Sequence, residues 1–206
     1  MKTYKIDTFI PRSIGSSERY ATRFGGQPDW IAAPQWPVSL PWDSRPLKFI
    51  GQIRLNDFNS ELKDLILAYI FMTQPEDKTD PFFDPDIIYP DGGENAIIIQ
   101  PDGKIPEYIH TENFFVGPTV DRETIWIPQT TESEEMVATE FKQFDVDKFC
   151  GIPAFFQNSI VEPDDILLLQ LHTNWLPFYI NGGGEPTMFA FLNGKKDGGF
   201  ILIEDM

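Results

Sequence analysis

The sequence predicts an α+β fold that is β-rich, with mostly antiparallel sheets and few helices around an internally duplicated, pseudo-two-fold core. Three observations predict it. Short apolar runs recur along the whole chain. Proline and glycine, 18 and 15 residues, fall between these runs instead of collecting in one linker, which favours short strands joined by turns. Two distant stretches also carry the same residue types at nearly the same spacing.

The strand-like runs are 48–53, 67–72, 96–100, 124–127, 166–171, 188–192 and 200–203. Several are apolar at successive positions and not only at alternate ones. That pattern belongs to strands covered on both faces. The best helical candidate is 133–149. Thr131 or Ser133 can cap it, Glu134 and Glu135 suit its first turn, and Met136, Val137, Phe141 and Phe144 mark an apolar stripe;. Gly151 and Pro153 then stop it. A shorter helix is expected over 57–65, between two strands.

The repeat runs as follows. Gly26-Gln27-Pro28-Asp29-Trp30 precedes a strand holding Gln52, with Asn56 four residues on and Phe71 in the next strand. Gly151-Ile152-Pro153-Ala154-Phe155 precedes a strand holding Gln170, with Asn174 four residues on and Phe189 in the next strand. Both halves thus share Gly-x-Pro-x-aromatic and Gln-x-x-x-Asn, and the Gln-to-Phe separation is 19 in each. Each unit is too small to bury its own apolar face, so two packed about a pseudo-two-fold axis make one core. The expectation is a single domain over 1–206, with repeats near 23–75 and 149–203. An acidic segment, 76–135, lies between them.

A glutamine inside an apolar strand needs partners for its oxygen and its two N–H groups. One reading is structural: each Gln bonds the backbone of a neighbouring loop, such as the Gly-x-Pro turn of its own half. The other is functional: Gln52, Asn56, Gln170 and Asn174 line a ligand cleft between the halves.

With 206 residues the chain can bury a sizeable core without disulfides;. Its single cysteine, Cys150, allows no intramolecular disulfide, and a reduced compartment follows. The first residues hold no continuous apolar stretch, and no run approaches the roughly 20 residues of a membrane helix. These features point to a cytoplasmic protein with no membrane contact. The net charge is −16 and unevenly spread. Residues 1–75 carry +2, residues 76–135 carry −12 and residues 136–206 carry −6. Such a surface repels phosphate backbones, which argues against nucleic acid. The acidic middle is either a solvating surface or a docking face for a basic partner.

Arg23-Phe24-Gly25-Gly26-x-Pro28, Trp36-Pro37 and Pro46-Leu47-Lys48-Phe49-Ile50-x-Gln52-Ile53 together resemble the amino-terminal signature of the bacterial YwqG-like proteins. Gly151-x-Pro153-x-Phe155-Phe156-Gln157 with Leu167–Leu171 resembles the second signature, and Met188–Phe191 the closing strand. The resemblance spans residues 23 to about 203. One departure stands out: Tyr179-Ile180-Asn181-Gly182-Gly183-Gly184-Glu185 replaces the aspartate-rich Trp-Gly-Asp-x-Gly stretch frequent in the family. The resemblance implies an α+β fold with a duplicated core. It implies no established reaction.

No chemistry declares itself. The two histidines, His110 and His172, and Cys150 have no zinc spacing;. Asp84, Asp86, Asp91 and Glu94 are weak candidates for a hard cation, but they do not follow the EF-hand loop and prolines stiffen the segment. Cys150 is read as a structural thiol at a helix end. Gly25-Gly26 and Gly182–Gly184 are turns, not phosphate cradles. The five tryptophans are core plugs and turn covers, or the floor of a sugar site. No cofactor is expected. The chain is read as a non-enzymatic interaction domain for a basic partner, in one form a toxin-neutralising immunity protein. The alternative is a small-ligand or enzymatic cleft between the repeated halves.

Overall fold

The structure, a computed structural model, describes residues 2–59, 62, 66–80, 89–134, 146–157 and 161–205. Strand makes up 44% of it and helix 3%. The helical part of the α+β expectation is therefore corrected, and the described chain is all-β. Ten strands form a closed ring: β1 (Lys2–Ser13), β10 (Lys148–Phe149), β11 (Ile166–His172), β12 (Thr187–Leu192), β13 (Gly199–Glu204), β7 (Asn95–Gln100), β6 (Leu67–Met72), β5 (Lys48–Arg54), β2 (Arg23–Gly25) and β9 (Thr124–Glu134). β9 pairs back onto β1 along almost its full length, from Lys2↔Glu134 to Ser13↔Thr124. A small sheet of β4 (Arg45–Pro46), β3 (Trp36–Ser39) and β8 (Ile109–Glu112) lies apart from the ring. Closing the sheet leaves no barrel edge for another chain to pair with.

The strands that read as apolar at successive positions are buried on both faces. On β6 the pleat sends Ala68, Ile70 and Met72 into one core with Ile53, Ile97, Leu169, Ala190 and Ile201, and this set fills the barrel. Leu67, Tyr69 and Phe71 point the other way, into a second cluster with Trp30, Trp36, Leu47 and Phe49. Across the barrel, Leu167, Phe189 and Phe191 form a smaller outer cluster against Phe155. Each fully buried side chain of this size contributes about 1.5–3 kcal/mol.

The ring has two seams where the two sets of strands meet. At one, β7 and β13 share the register pair Gly199↔Ile97. Asn95 extends the join there: its Oδ1 accepts from Ile201 N at 2.7 Å and its Nδ2 donates to Tyr89 O at 3.0 Å. At the other, β1 bridges β9 and β10. A shift in register between Ile6 and Thr8 bulges β1 at Asp7.

The helix expected over 133–149 does not form as read. Ser133 and Glu134 end β9, and Lys148 and Phe149 make β10. Pairing with β1 claims those backbone groups for a ladder. Residues 135–145 lie outside the described residues. Of the shorter helix expected over 57–65, Asp57 ends a 3-10 turn at Leu55–Asp57 and Leu62 is also 3-10, while 60, 61 and 63–65 lie outside the described residues. Cys150 is buried, as a structural thiol should be, but it follows a strand and not a helix.

Candidate functional site

Gln52 and Gln170 are both fully buried, at 0% exposure. Gln52 Oε1 accepts from Asp29 N at 2.9 Å, and its Nε2 donates to Ala21 O at 2.9 Å and to Asp29 Oδ2 at 3.0 Å. Gln170 Oε1 accepts from Ala154 N at 3.1 Å, and its Nε2 donates to Val146 O at 3.1 Å. In each half the acceptor serves the residue after the Gly-x-Pro proline, and the donor serves the residue eight before that one. The amides therefore tie each strand to its own Gly-x-Pro loop. They do not face a cleft open to solvent, which corrects the ligand reading for these two residues.

The likeness extends along both loops. Gly26 and Gly151 both sit in the left-handed region, at φ 70° and 89°. Arg23 lies opposite Gln52 and donates to Gln27 O at 2.6 Å, while Lys148 lies opposite Gln170 and donates to Ile152 O at 2.5 Å. Trp30 packs on Tyr69 at 4.8 Å, and Phe155 on Phe189 at 4.9 Å. Strand pairing agrees, since Gln52 faces Tyr69 and Gln170 faces Phe189. The equal spacing to Phe71 and Phe189 thus matched the wrong pair. Tyr69 corresponds to Phe189, and Phe71 to Phe191. Asn56 and Asn174 stand in matching 3-10 turns, Leu55–Asp57 and Thr173–Trp175, and Asn56 is exposed.

Of the four cation candidates, Asp84 and Asp86 lie outside the described residues. Asp91 is exposed. Glu94 is half-buried, and its carboxylate accepts from Tyr89 N at 3.0 Å. Burial pushes its pKa up, against the pull of that bond. Among the described residues no group of three or more His, Cys, Asp or Glu could hold a metal, and no helix is long and apolar enough to cross a membrane.

The acidic segment holds a more distinctive feature. After β8, Phe114, Phe115 and Val116 are 40, 69 and 74% exposed, three consecutive large apolar side chains turned to water. Their base is fixed. Gln27 grips Gly117 from both sides, accepting from its N at 2.9 Å and donating to its O at 3.0 Å. Phe49 N donates to Pro118 O at 2.9 Å, and Val120 N donates to Phe49 O at 3.1 Å. Gly117 lies so close to the buried Trp36 ring that a Cβ would fall 2.7 Å from it. The tip is therefore an apolar knob on a rigid mount.

No family model and no curated protein matches the chain. The site must then be read from its own residues. On the chain before and after the knob, Asp102, Glu107, Glu112 and Glu123 are exposed and join no ion pair among the described residues. Other acids of the segment are locally engaged: Asp80 with Arg45, Glu132 with Lys2, and Asp121 with the Trp126 indole. Part of the charge left facing water thus lies on the chain either side of the apolar tip. Three adjacent apolar residues carry no sequence signal of exposure, so Phe114–Val116 is legible only in the fold.

Proposed function

We propose that this chain is a YwqG-like, non-enzymatic protein-interaction domain that receives a basic partner, as a toxin-neutralising immunity protein does. The observation that carries the reading is the rigidly mounted Phe114–Phe115–Val116 knob, with exposed carboxylates on the chain either side of it. Exposed apolar groups of this kind serve as interface anchors. The exposed carboxylates that flank them in the chain would steer a cationic surface and speed encounter. A basic partner would bury the aromatic tip and set its own cations against Glu107 and Glu112.

The test compares the native chain with Phe115→Ser and with Glu107→Lys/Glu112→Lys in affinity capture from cell lysate, followed by association kinetics on the recovered protein. The native chain should retain a protein of basic isoelectric point, and each variant should lose it. Association should slow about tenfold between roughly 50 and 500 mM salt. Phe115→Ser should unfold within about 0.5 kcal/mol of the native chain, since its side chain is already exposed. Failure to retain a basic protein, equal retention by the variants, or a salt-independent association rate would each count against the proposal.

A further inference from the structure

At the β1 seam lies a cavity of about 320 Å³. Asp7 and Thr8 of the bulge, Asp147, Trp175 and Pro177 are among the residues that line it. The parts are fixed independently. Ile6 N donates to Asp147 O at 2.8 Å, which sets the bulge over the loop before β10. Asp7 Oδ2 accepts from Thr131 Oγ1 at 2.6 Å. The turn Thr173–Trp175 is anchored by Thr173, whose N and Oγ1 both donate to Pro186 O at 2.9 Å. Trp175 is nevertheless 85% exposed. Nearby His172 is buried, and its Nδ1 has no hydrogen-bond partner among the described residues.

The matching place in the first half shows what is unusual here. Thr22 Oγ1 accepts from Arg54 N at 2.9 Å, and Asp147 Oδ1 accepts from His172 N at 2.7 Å. Thr22 precedes Arg23 as Asp147 precedes Lys148, so the two occupy one position. Arg54 and Asp57 correspond likewise to His172 and Trp175. In the first half this corner is filled by the protein's own guanidinium: Arg54 Nε lies 2.9 Å from Asp57, and its Nη1 lies 3.3 Å from Glu18. In the second half the hydroxyl has become a carboxylate and the arginine has become a shorter histidine. The aspartate has become an exposed indole. The corner has moved its carboxylate to the capping position, gained an aromatic face and lost its built-in cation.

We infer that the cleft between Asp7, Asp147 and Trp175 binds an organic cation, a guanidinium or ammonium group held between two carboxylates and the indole face. Such groups suit carboxylates by charge and hydrogen bonding, and an exposed indole adds a cation–π contact. The shared chemistry allows two sources, a free small amine or an arginine or lysine side chain of a peptide. This site is separate from the Phe114–Val116 knob and does not depend on it.

The test titrates the full chain by calorimetry with agmatine, with spermidine, with N-acetyl-arginine amide, and with N-acetylglucosamine as a neutral aromatic-stacking probe. A cationic probe should bind, and Trp175→Ala, Asp147→Asn and Asp7→Asn should each weaken it about tenfold or more. Phe115→Ser should leave it unchanged, which separates this inference from the interaction surface. A preference for agmatine or spermidine assigns a free amine, and a preference for the arginine amide assigns a side chain. No binding by any cation at millimolar concentration, tighter binding of the sugar, or binding unaffected by Trp175→Ala and Asp147→Asn would each overturn it. Thermal unfolding of the variants checks that a loss does not come from misfolding.

Discussion

Gln52→Leu should destabilise the protein by about 3–5 kcal/mol, which for a chain of this size is a fall in Tm of roughly 10 °C. Leucine nearly conserves volume, so the change removes hydrogen bonds without opening a large cavity. It strips Asp29 N of its acceptor and Ala21 O of its donor. It also strips one contact from the Asp29 carboxylate, which then keeps Tyr20 N and Arg23. A buried backbone group left without a partner costs about 1–3 kcal/mol, and the loop that loses its anchor carries Trp30, which roofs the outer face of Tyr69 and Phe71. The damage should therefore spread from three hydrogen bonds to an aromatic cluster. Gln170→Leu should behave alike, because its bonds to Ala154 and Val146 repeat the same pattern. Exposed Asn56 changed to Ala should shift stability by less than about 0.5 kcal/mol. Urea unfolding measures all three. A loss under about 1 kcal/mol for Gln52→Leu would show that the loop is held by something other than this amide.

The seven apolar runs each lie within a strand of the barrel, and those of β5, β6, β7, β11 and β12 were legible because burial on both pleat faces leaves a continuous apolar signature. The strand that closes the ring was not. β1 mixes charged, polar and apolar residues without regular alternation, contains Pro11, and shifts register at the Asp7 bulge, so no window of it reads cleanly as two-fold. The small sheet failed for a related reason, since Arg45–Pro46 and Trp36–Ser39 are too short to show a period. At the two ends of the helix expected over 133–149, long-range pairing with β1 claims residues 133–134 and 148–149 for strands and overrides the local capping signals there;.

The amides were legible as special, since polar residues in apolar strands demand partners. Their role turned on which partners, and hydrogen bonds to residues 23 and 31 positions away leave no trace in spacing. The seam cleft was harder still. Asp7, Asp147 and Trp175 come from three separate stretches, joined only once β1 inserts between β9 and β10. The one available hint was internal: at the positions of Thr22, Arg54 and Asp57, the second half carries Asp147, His172 and Trp175.

Asp147→Asn should raise stability at pH 8 by about 1–3 kcal/mol while weakening cation binding. Burial pushes the Asp147 carboxyl up to about 6, although the bond from His172 N and the charge of His172 pull it down. An unfolded aspartate titrates near its ordinary value of about 3.9. Between these two points the folded chain holds a proton that the unfolded chain has released. Stability from this group is therefore complete below about pH 4 and is lost as pH rises towards and through 6. Above pH 7 the folded protein carries the full penalty of a desolvated carboxylate. Asparagine keeps an oxygen for His172 N and carries no charge, so the penalty disappears. The difference in unfolding free energy between variant and native chain should be small near pH 4, grow through pH 6 and level off by pH 8. Asp147→Thr provides a second check, since Thr22 already performs the same backbone cap with a hydroxyl in the other half. If both variants stabilise the fold at pH 8, the carboxylate is dispensable for folding, and its presence in the cleft calls for a ligand that it serves. A flat difference curve, or destabilisation by both variants at every pH, would make Asp147 a structural cap and remove that argument for the site.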